Sequence, residues 1–68
     1  MSWIIARKKG RVYEMYVDED IYGRGHFSHD NKITDQPVFF HNKSEAWSHM
    51  NGWIKKEKGW EYIVEYYE

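Results

Sequence analysis

The order of apolar and polar residues along the chain predicts a small sheet and one helix. Apolar and β-branched residues cluster in short runs that turn residues separate, as is typical of strands. The first two runs flank a Lys-Lys-Gly sequence, which predicts a hairpin with Gly10 in the left-handed conformation. Strands are predicted at residues 3–7, 12–18, 26–28, 38–41 and 60–68.

The helix has the clearest signal in the chain. Asn42 can cap it, and Glu45 stands at the third helical position, which is the spacing of a capping box. Three lysines, ending at Lys58, crowd the expected last turn, where cations suit the helix dipole, and Gly59 is expected to terminate it. The apolar stripe between these ends consists of Ala46, Trp47, Met50, Trp53 and Ile54.

These elements predict a single α+β domain over residues 1–68. We expect a small antiparallel sheet of three to five strands, with one α-helix at about residues 43–58 packed on one face. The other face of such a sheet must meet water or a partner.

Alternation along the strands predicts which residues the open face carries. In the second strand, Tyr13, Met15 and Val17 include no charge and are predicted to face the helix. The opposite set is an acidic surface with aromatic and aliphatic groups, which suits ordinary cross-strand packing or a protein interface. The predicted protein-binding residues on that open face are Glu14, Tyr16, Asp18, Glu61, Ile63, Glu65 and Tyr67, with Val12 beside them.

Basic residues gather at two turns. If the strands alternate in direction, the lysines at the helix end, Lys55, Lys56 and Lys58, lie at the opposite pole from the first hairpin. Solvated turns account for both groups. The alternative is a nucleic-acid-binding module that uses the hairpin, with Trp3 or Tyr16 as stacking groups. Its predicted contacts are Arg7, Lys8, Lys9 and Arg11.

Composition argues against several classes of protein. Among 68 residues there are four Trp, six Tyr and three Phe, and Lys plus Arg (10) nearly balances Asp plus Glu (11), for a net charge of -1. This balance disfavours a strongly basic nucleic-acid binder. The absence of cysteine excludes a disulfide framework or a thiolate metal site. No apolar run has the length of a membrane span and no signal peptide is visible, so we expect a cytoplasmic protein.

The sequence offers little catalytic chemistry. His26, His29, Asp30 and His41 invite a metal interpretation, but their spacing matches no zinc motif, and His49 lies in the predicted helix. No nucleophile motif, phosphate-binding glycine loop or spaced carboxylate pair stands out. We therefore expect a protein that is not an enzyme and uses neither a cofactor nor a metal.

The carboxyl half resembles a group of small phage and prophage proteins. Its sequence, PVFFHNKSEAWSHMNGWIKKEKGWEYIVEYYE, shows the aromatic strand, the helix entry of Phe40, Asn42, Lys43, Glu45 and Ala46, and the closing Ile63, Val64 and Glu65 of that group. The likeness implies a phage-encoded accessory protein acting in the bacterial cytoplasm. Such proteins often bind and block a host protein, including CRISPR or restriction machinery. The likeness assigns no site residue.

A second resemblance is to the amino-terminal arm-binding domain of tyrosine recombinases. That domain also packs a three-stranded sheet on one helix and reads DNA with the sheet. Phe40, Glu45 and Ala46 match its helix entry, whereas the acidic final strand and the neutral charge depart from it.

The sequence therefore supports two candidate functions. The first is a non-enzymatic inhibitor or adaptor that binds a host protein through the open face, and the second is the nucleic-acid module. The chain is expected to be a monomer or a homodimer, because an exposed final strand offers an edge for pairing.

Overall fold

The computed structural model describes residues 2–17, 25–28 and 36–67. Within them lie four strands, β1 (Ser2–Lys9), β2 (Val12–Val17), β3 (His26–Ser28) and β4 (Glu61–Tyr67), and one helix, α1 (Lys43–Trp53). The strands form an antiparallel sheet in the order β3-β2-β1-β4, with the helix packed against it. The predicted α+β domain with a single helix on a small antiparallel sheet is confirmed.

The first hairpin forms where the sequence predicts it. Gly10 has a φ of 59°, a conformation that glycine adopts without steric cost. It allows Lys9 to pair with Val12, and this pairing sets the register of β1 on β2. On its other side β1 pairs with β4 from Ser2 to Lys8, so β4 occupies one edge of the sheet, as expected for the final strand.

The helix begins as predicted but ends early. The Asn42 side chain accepts a hydrogen bond from the Glu45 amide at 2.8 Å, and the Glu45 carboxylate accepts one from the His41 amide at 3.1 Å. Together these bonds complete the capping box. The predicted end near residue 58 is wrong, because the helix stops at Trp53 and Ile54 is already extended. The three lysines therefore follow the helix rather than occupying its last turn.

The aromatic segment predicted as a strand at residues 38–41 instead fills a fork between β1 and β2. The backbones of Trp3 and Phe40 exchange two hydrogen bonds, of 3.0 and 2.9 Å, and the Val38 amide donates to the Tyr16 carbonyl at 3.0 Å. β1 and β2 pair directly only from Lys9 and Val12 to Ala6 and Met15. Beyond that point the two strands diverge, and each makes backbone contacts with this segment, which we call the wedge (residues 36–40).

One packed cluster lies between the helix and the sheet, while Ile4, Ala6 and Val17 are buried on the opposite face of the sheet. Ile5, Tyr16, Ala46 and Met50 form the fully packed centre of the cluster, with exposures of 7% or less. The partly buried side chains that surround the centre come from β1, β3, β4, the wedge and the C-cap of the helix: Trp3, Phe27, Val38, Phe40, Ile54, Tyr62 and Val64.

The predicted orientation of β2 is wrong. Tyr16 lies in the core, and Glu14 shares its face and is buried, with only 8% of its surface exposed. Tyr13, Met15 and Val17 therefore point away from the helix, onto the open face. We expected the face of β2 that carries Glu14 to point away from the core because it is charged. Glu14 pairs with Arg7 directly across the hairpin, however, and the positive charge of Arg7 compensates for the burial of the carboxylate.

Candidate binding surfaces

Arg7 is held in a cage on the helix side of the sheet. Its Nη2 lies 2.6 Å from Oε1 of Glu14, and its Nη1 lies 3.2 Å from Oε2 of Glu57. The guanidinium stacks between the rings of Phe27 and Trp60, at 4.5 and 4.1 Å from their centroids. Such stacking adds to the ion pair because the ring face attracts a cation.

The groups around Arg7 keep its guanidinium charged and engaged in contacts within the fold. Burial of the guanidinium opposes its charge, but hydrogen bonds to Tyr62 and Glu14 together with the Glu14 charge raise the pKa of Arg7 above its ordinary value. With 15% of its side chain exposed and its charge paired, Arg7 serves the fold. Of the four predicted nucleic-acid contacts, it is therefore the one that the structure withdraws from the surface.

The open face is crossed by a tyrosine. The hydroxyl of Tyr13, on β2, donates to Glu65 on β4, so its side chain spans the intervening strand β1. Ala6, on the same face of β1, is fully buried. Burial, followed by the hydrogen bond to Glu65 and the charge of that carboxylate, raises the pKa of Tyr13 well above its ordinary value. This bond, which we call the Tyr13 strap, ties the two outer strands together.

Exposed aromatic rings lie at one end of the open face. Tyr67 at the end of β4 and Phe39 of the wedge are 38% and 48% exposed, and their ring centroids are 5.3 Å apart. Ile63 is half-buried farther along the same face of β4. Phe39 was not predicted, because residues 38–41 were expected to form a strand but were assigned no face of the sheet.

The predicted protein-binding set is thus divided. Its four members on β4 share the open face, but its members on β2, Glu14 and Tyr16, lie beneath the helix. Asp18 lies outside the described residues. The four β4 residues that remain together on the open face are Glu61, Ile63, Glu65 and Tyr67.

The two basic groups, predicted at opposite poles, meet at one pole. Lys8 pairs with Glu61 at the start of β4, so the loop after the helix leads directly to the tip of the first hairpin. The Lys9 ammonium lies 5.8 Å from the Trp60 ring centroid, beside Gly59. The prediction failed because the sequence does not show which strand lies beside β1. β4 pairs antiparallel with β1, so β4 begins next to the tip of the first hairpin. We call the set Lys8, Lys9, Arg11, Lys55 and Lys58 the basic pole. Lys56, the remaining lysine of the second group, donates a hydrogen bond to Asn51 of the helix.

A cleft of about 440 Å³ opens beside the basic pole. The helix end supplies His49 and Trp53, the following turn supplies Lys55, and β3 supplies Phe27. Trp53 is 82% exposed. It belongs to the helix stripe predicted to be apolar core, but the helix ends here and leaves the ring at the mouth of the cleft. The sequence singled out Trp53 only as a member of that apolar stripe.

The described histidines do not assemble a metal site. His49 approaches the Tyr16 hydroxyl at 3.4 Å and stacks against Phe40, while His26 lies on β3. In residues 2–17, 25–28 and 36–67, no three His, Asp or Glu side chains are placed to share an ion. His29 and Asp30 lie outside these ranges.

Comparison with known proteins yields no relative. No protein-family profile, curated protein or solved structure matches the chain. Among the described residues, no helix has the length and apolar character needed to span a membrane. Function must therefore be argued from the surfaces themselves.

Proposed function

We propose that this chain is a non-enzymatic accessory protein of the phage type, which binds and inhibits a host protein through the open face of its sheet. The observation that carries the proposal is the pair of exposed, mutually packed rings of Phe39 and Tyr67 on the face opposite the helix. Aromatic side chains supply a large contact area at low cost in conformational entropy, which makes them frequent anchors of interfaces.

The surroundings of these rings favour a protein partner. Glu65 lies on the same face of β4, held by the Tyr13 strap, and Ile63 adds apolar surface. Acidic groups repel a phosphate backbone and attract basic side chains. The partner surface that fits is therefore apolar at its centre and carries Lys or Arg at its edge. The resemblance to small phage proteins supports the host origin of that partner and the inhibitory outcome.

Affinity capture from a bacterial lysate tests the proposal. The tagged wild-type chain is compared with the double variant Phe39→Ala/Tyr67→Ala, which removes both rings of the exposed pair. We expect the double variant to lose a specific captured protein, which mass spectrometry identifies. The captured protein is then purified and its own activity is measured with and without the chain, and we expect the wild-type chain to lower that activity.

Trp47→Ala is the matched control. Trp47 is 40% exposed, much like Tyr67, but it lies on the helix. Circular dichroism establishes that all variants keep the fold. Capture that survives in the double variant contradicts an interface on the open face, as does capture that Trp47→Ala abolishes equally. Binding that leaves the partner's activity unchanged contradicts the inhibitory role.

A further inference from the structure

We infer that the basic pole and the adjoining cleft form a binding site for single-stranded nucleic acid, separate from the open-face interface. The cations of the basic pole would follow the phosphate backbone, and Trp53 would stack on a base in the cleft. This arrangement combines the two elements that sequence-tolerant single-strand binders use, a positively charged path and an exposed aromatic platform.

Charge complementarity selects a polyanion. The basic pole contributes five cations, and among the described residues the nearby carboxylates outside the Arg7–Glu14 pair are Glu57 and Glu61, so these groups sum to +3. The whole chain carries -1, so the rest of the chain carries -4. The basic pole is therefore positive, although the total charge of the chain is close to zero. A polarised surface steers an anionic partner to one end.

The aromatic platform selects a nucleic acid over an acidic protein. Trp53 stands on the helix face that carries Ala46 and Met50, at the last residue of the helix, with 82% of its surface exposed. Lys55 lines the same cleft as Trp53. A base has a flat face for an indole to cover and a phosphate for the neighbouring cation, whereas an acidic peptide offers only the charge.

The site is remote from the open-face rings. Lys8 pairs with Glu61 at one end of β1 and β4, whereas Ser2 pairs with Tyr67 at the other end. A variant of one surface therefore leaves the other surface intact, and failure of one proposal is distinguishable from failure of the other.

Titration of a fluorescently labelled oligothymidylate of about 12 nucleotides, followed by anisotropy, tests the inference. We expect binding that weakens with salt. For three to five phosphate contacts, the logarithm of the association constant should fall by about 2 to 3.5 per tenfold rise in salt. The four tryptophans provide a second signal, because a base stacked on Trp53 quenches its fluorescence.

Lys58→Gln and Lys43→Gln form a matched pair of charge variants. Lys43 is at the start of the helix, near Trp3, away from the basic pole. At about 0.1 M salt, the loss of one phosphate contact should weaken binding by about fivefold and lower the salt slope by about 0.7. We expect this change for Lys58→Gln and an unchanged affinity for Lys43→Gln.

Trp53→Ala and Trp47→Ala form the aromatic pair. Loss of a stacked base should weaken binding by at least about fivefold for Trp53→Ala, whereas Trp47→Ala should bind like wild type. Competition with polyglutamate completes the test. Absent binding at low salt overturns the inference. So do equal effects of the two lysine variants, an unchanged affinity of Trp53→Ala, and displacement of the oligonucleotide by polyglutamate at equal charge, which would mark a general polyanion surface.

Discussion

The two faces of this sheet each contain a charged group tied across strands, but the two ties differ in what surrounds them. On the helix side, Arg7 contacts two carboxylates and lies between two aromatic rings. On the open side, the Tyr13 strap is a single hydrogen bond to Glu65, and Tyr13 keeps 38% of its surface exposed.

The comparison shows that a charged side chain can be buried here when several other groups contact it at the same time. Removing Arg7 breaks its contacts with two carboxylates and two rings and its hydrogen bond to Tyr62 at once. Removing the Tyr13 hydroxyl breaks one bond at a partly hydrated site. The Arg7 cage should therefore be far less tolerant of substitution than the Tyr13 strap, and the following variants measure that difference.

Arg7→Ala should have the largest effect. It removes the guanidinium that Glu14 contacts at a site with little solvent, and the loss of one member of a buried pair destabilises by about 3 kcal/mol. Urea unfolding followed by tryptophan fluorescence measures the change. Lys8→Ala is the control, since Lys8 is the exposed neighbour on the opposite face and should change stability by less than about 0.5 kcal/mol. Similar losses for the two variants would contradict the contrast between the faces.

Gly25→Ala should come next. A Cβ at Gly25 would lie 2.5 Å from Cζ of the buried Tyr16 ring, and overpacking of this kind destabilises by about 2 kcal/mol. Gly52→Ala is the matched control, and it should change the stability in the opposite direction. A Cβ there meets nothing within 4 Å, and alanine in a helix is more favourable than glycine by about 1 kcal/mol. Thermal unfolding of both proteins tests the pair, and a destabilised Gly52→Ala would show that the helix packs differently.

Tyr13→Phe should have a smaller effect. It removes the hydroxyl that donates to Glu65 but keeps the ring over β1, so we expect a loss of about 1 kcal/mol. Tyr67→Phe, which alters an exposed ring on the same face, should be neutral within about 0.5 kcal/mol. The same urea experiment applies. A loss for Tyr13→Phe as large as that of Arg7→Ala would remove the distinction between cage and strap.

The alkaline titration should show the smallest and most specific effect. The folded-state pKa of Tyr13 lies above the value of about 10 for an unfolded chain, so folding favours the protonated phenol. Its stabilising contribution is complete below pH 10 and is lost as the pH rises towards the folded pKa. Ultraviolet absorbance should show a late tyrosine component that ionises above the ordinary pKa of a phenol. Tyr13→Phe should remove that late component, and its persistence would refute the assignment.

The sequence predicted the features that depend on neighbours along the chain. The capping box needs Asn42 and Glu45 at a fixed spacing, and the hairpin needs Gly10 in its turn, so both were found. The same local logic placed the apolar stripe, of which Ala46 and Met50 became core.

Features set by distant partners were missed for a physical reason. β2 carries two plausible inner faces, and the choice depends on Arg7, which neutralises Glu14 across the hairpin. The helix end depends on residues after it, where the Glu57 amide donates to the Tyr62 hydroxyl at 2.8 Å and the Glu57 carboxylate reaches Arg7. These contacts favour an extended path from Ile54 onward over another turn of helix. The union of the two basic groups likewise depends on strand order, which no local pattern encodes.

The wedge has a consequence for how the chain reaches its native state. β1 and β2 are close in sequence, so their hairpin can zip within microseconds, whereas Phe40 must close a much longer loop to reach Trp3. A hairpin that zips completely would occupy the backbone groups that Phe40 and Val38 need. Folding must therefore leave the hairpin open beyond Ala6 and Met15, or reopen it there. The fastest local strand pairing thus competes with the native structure.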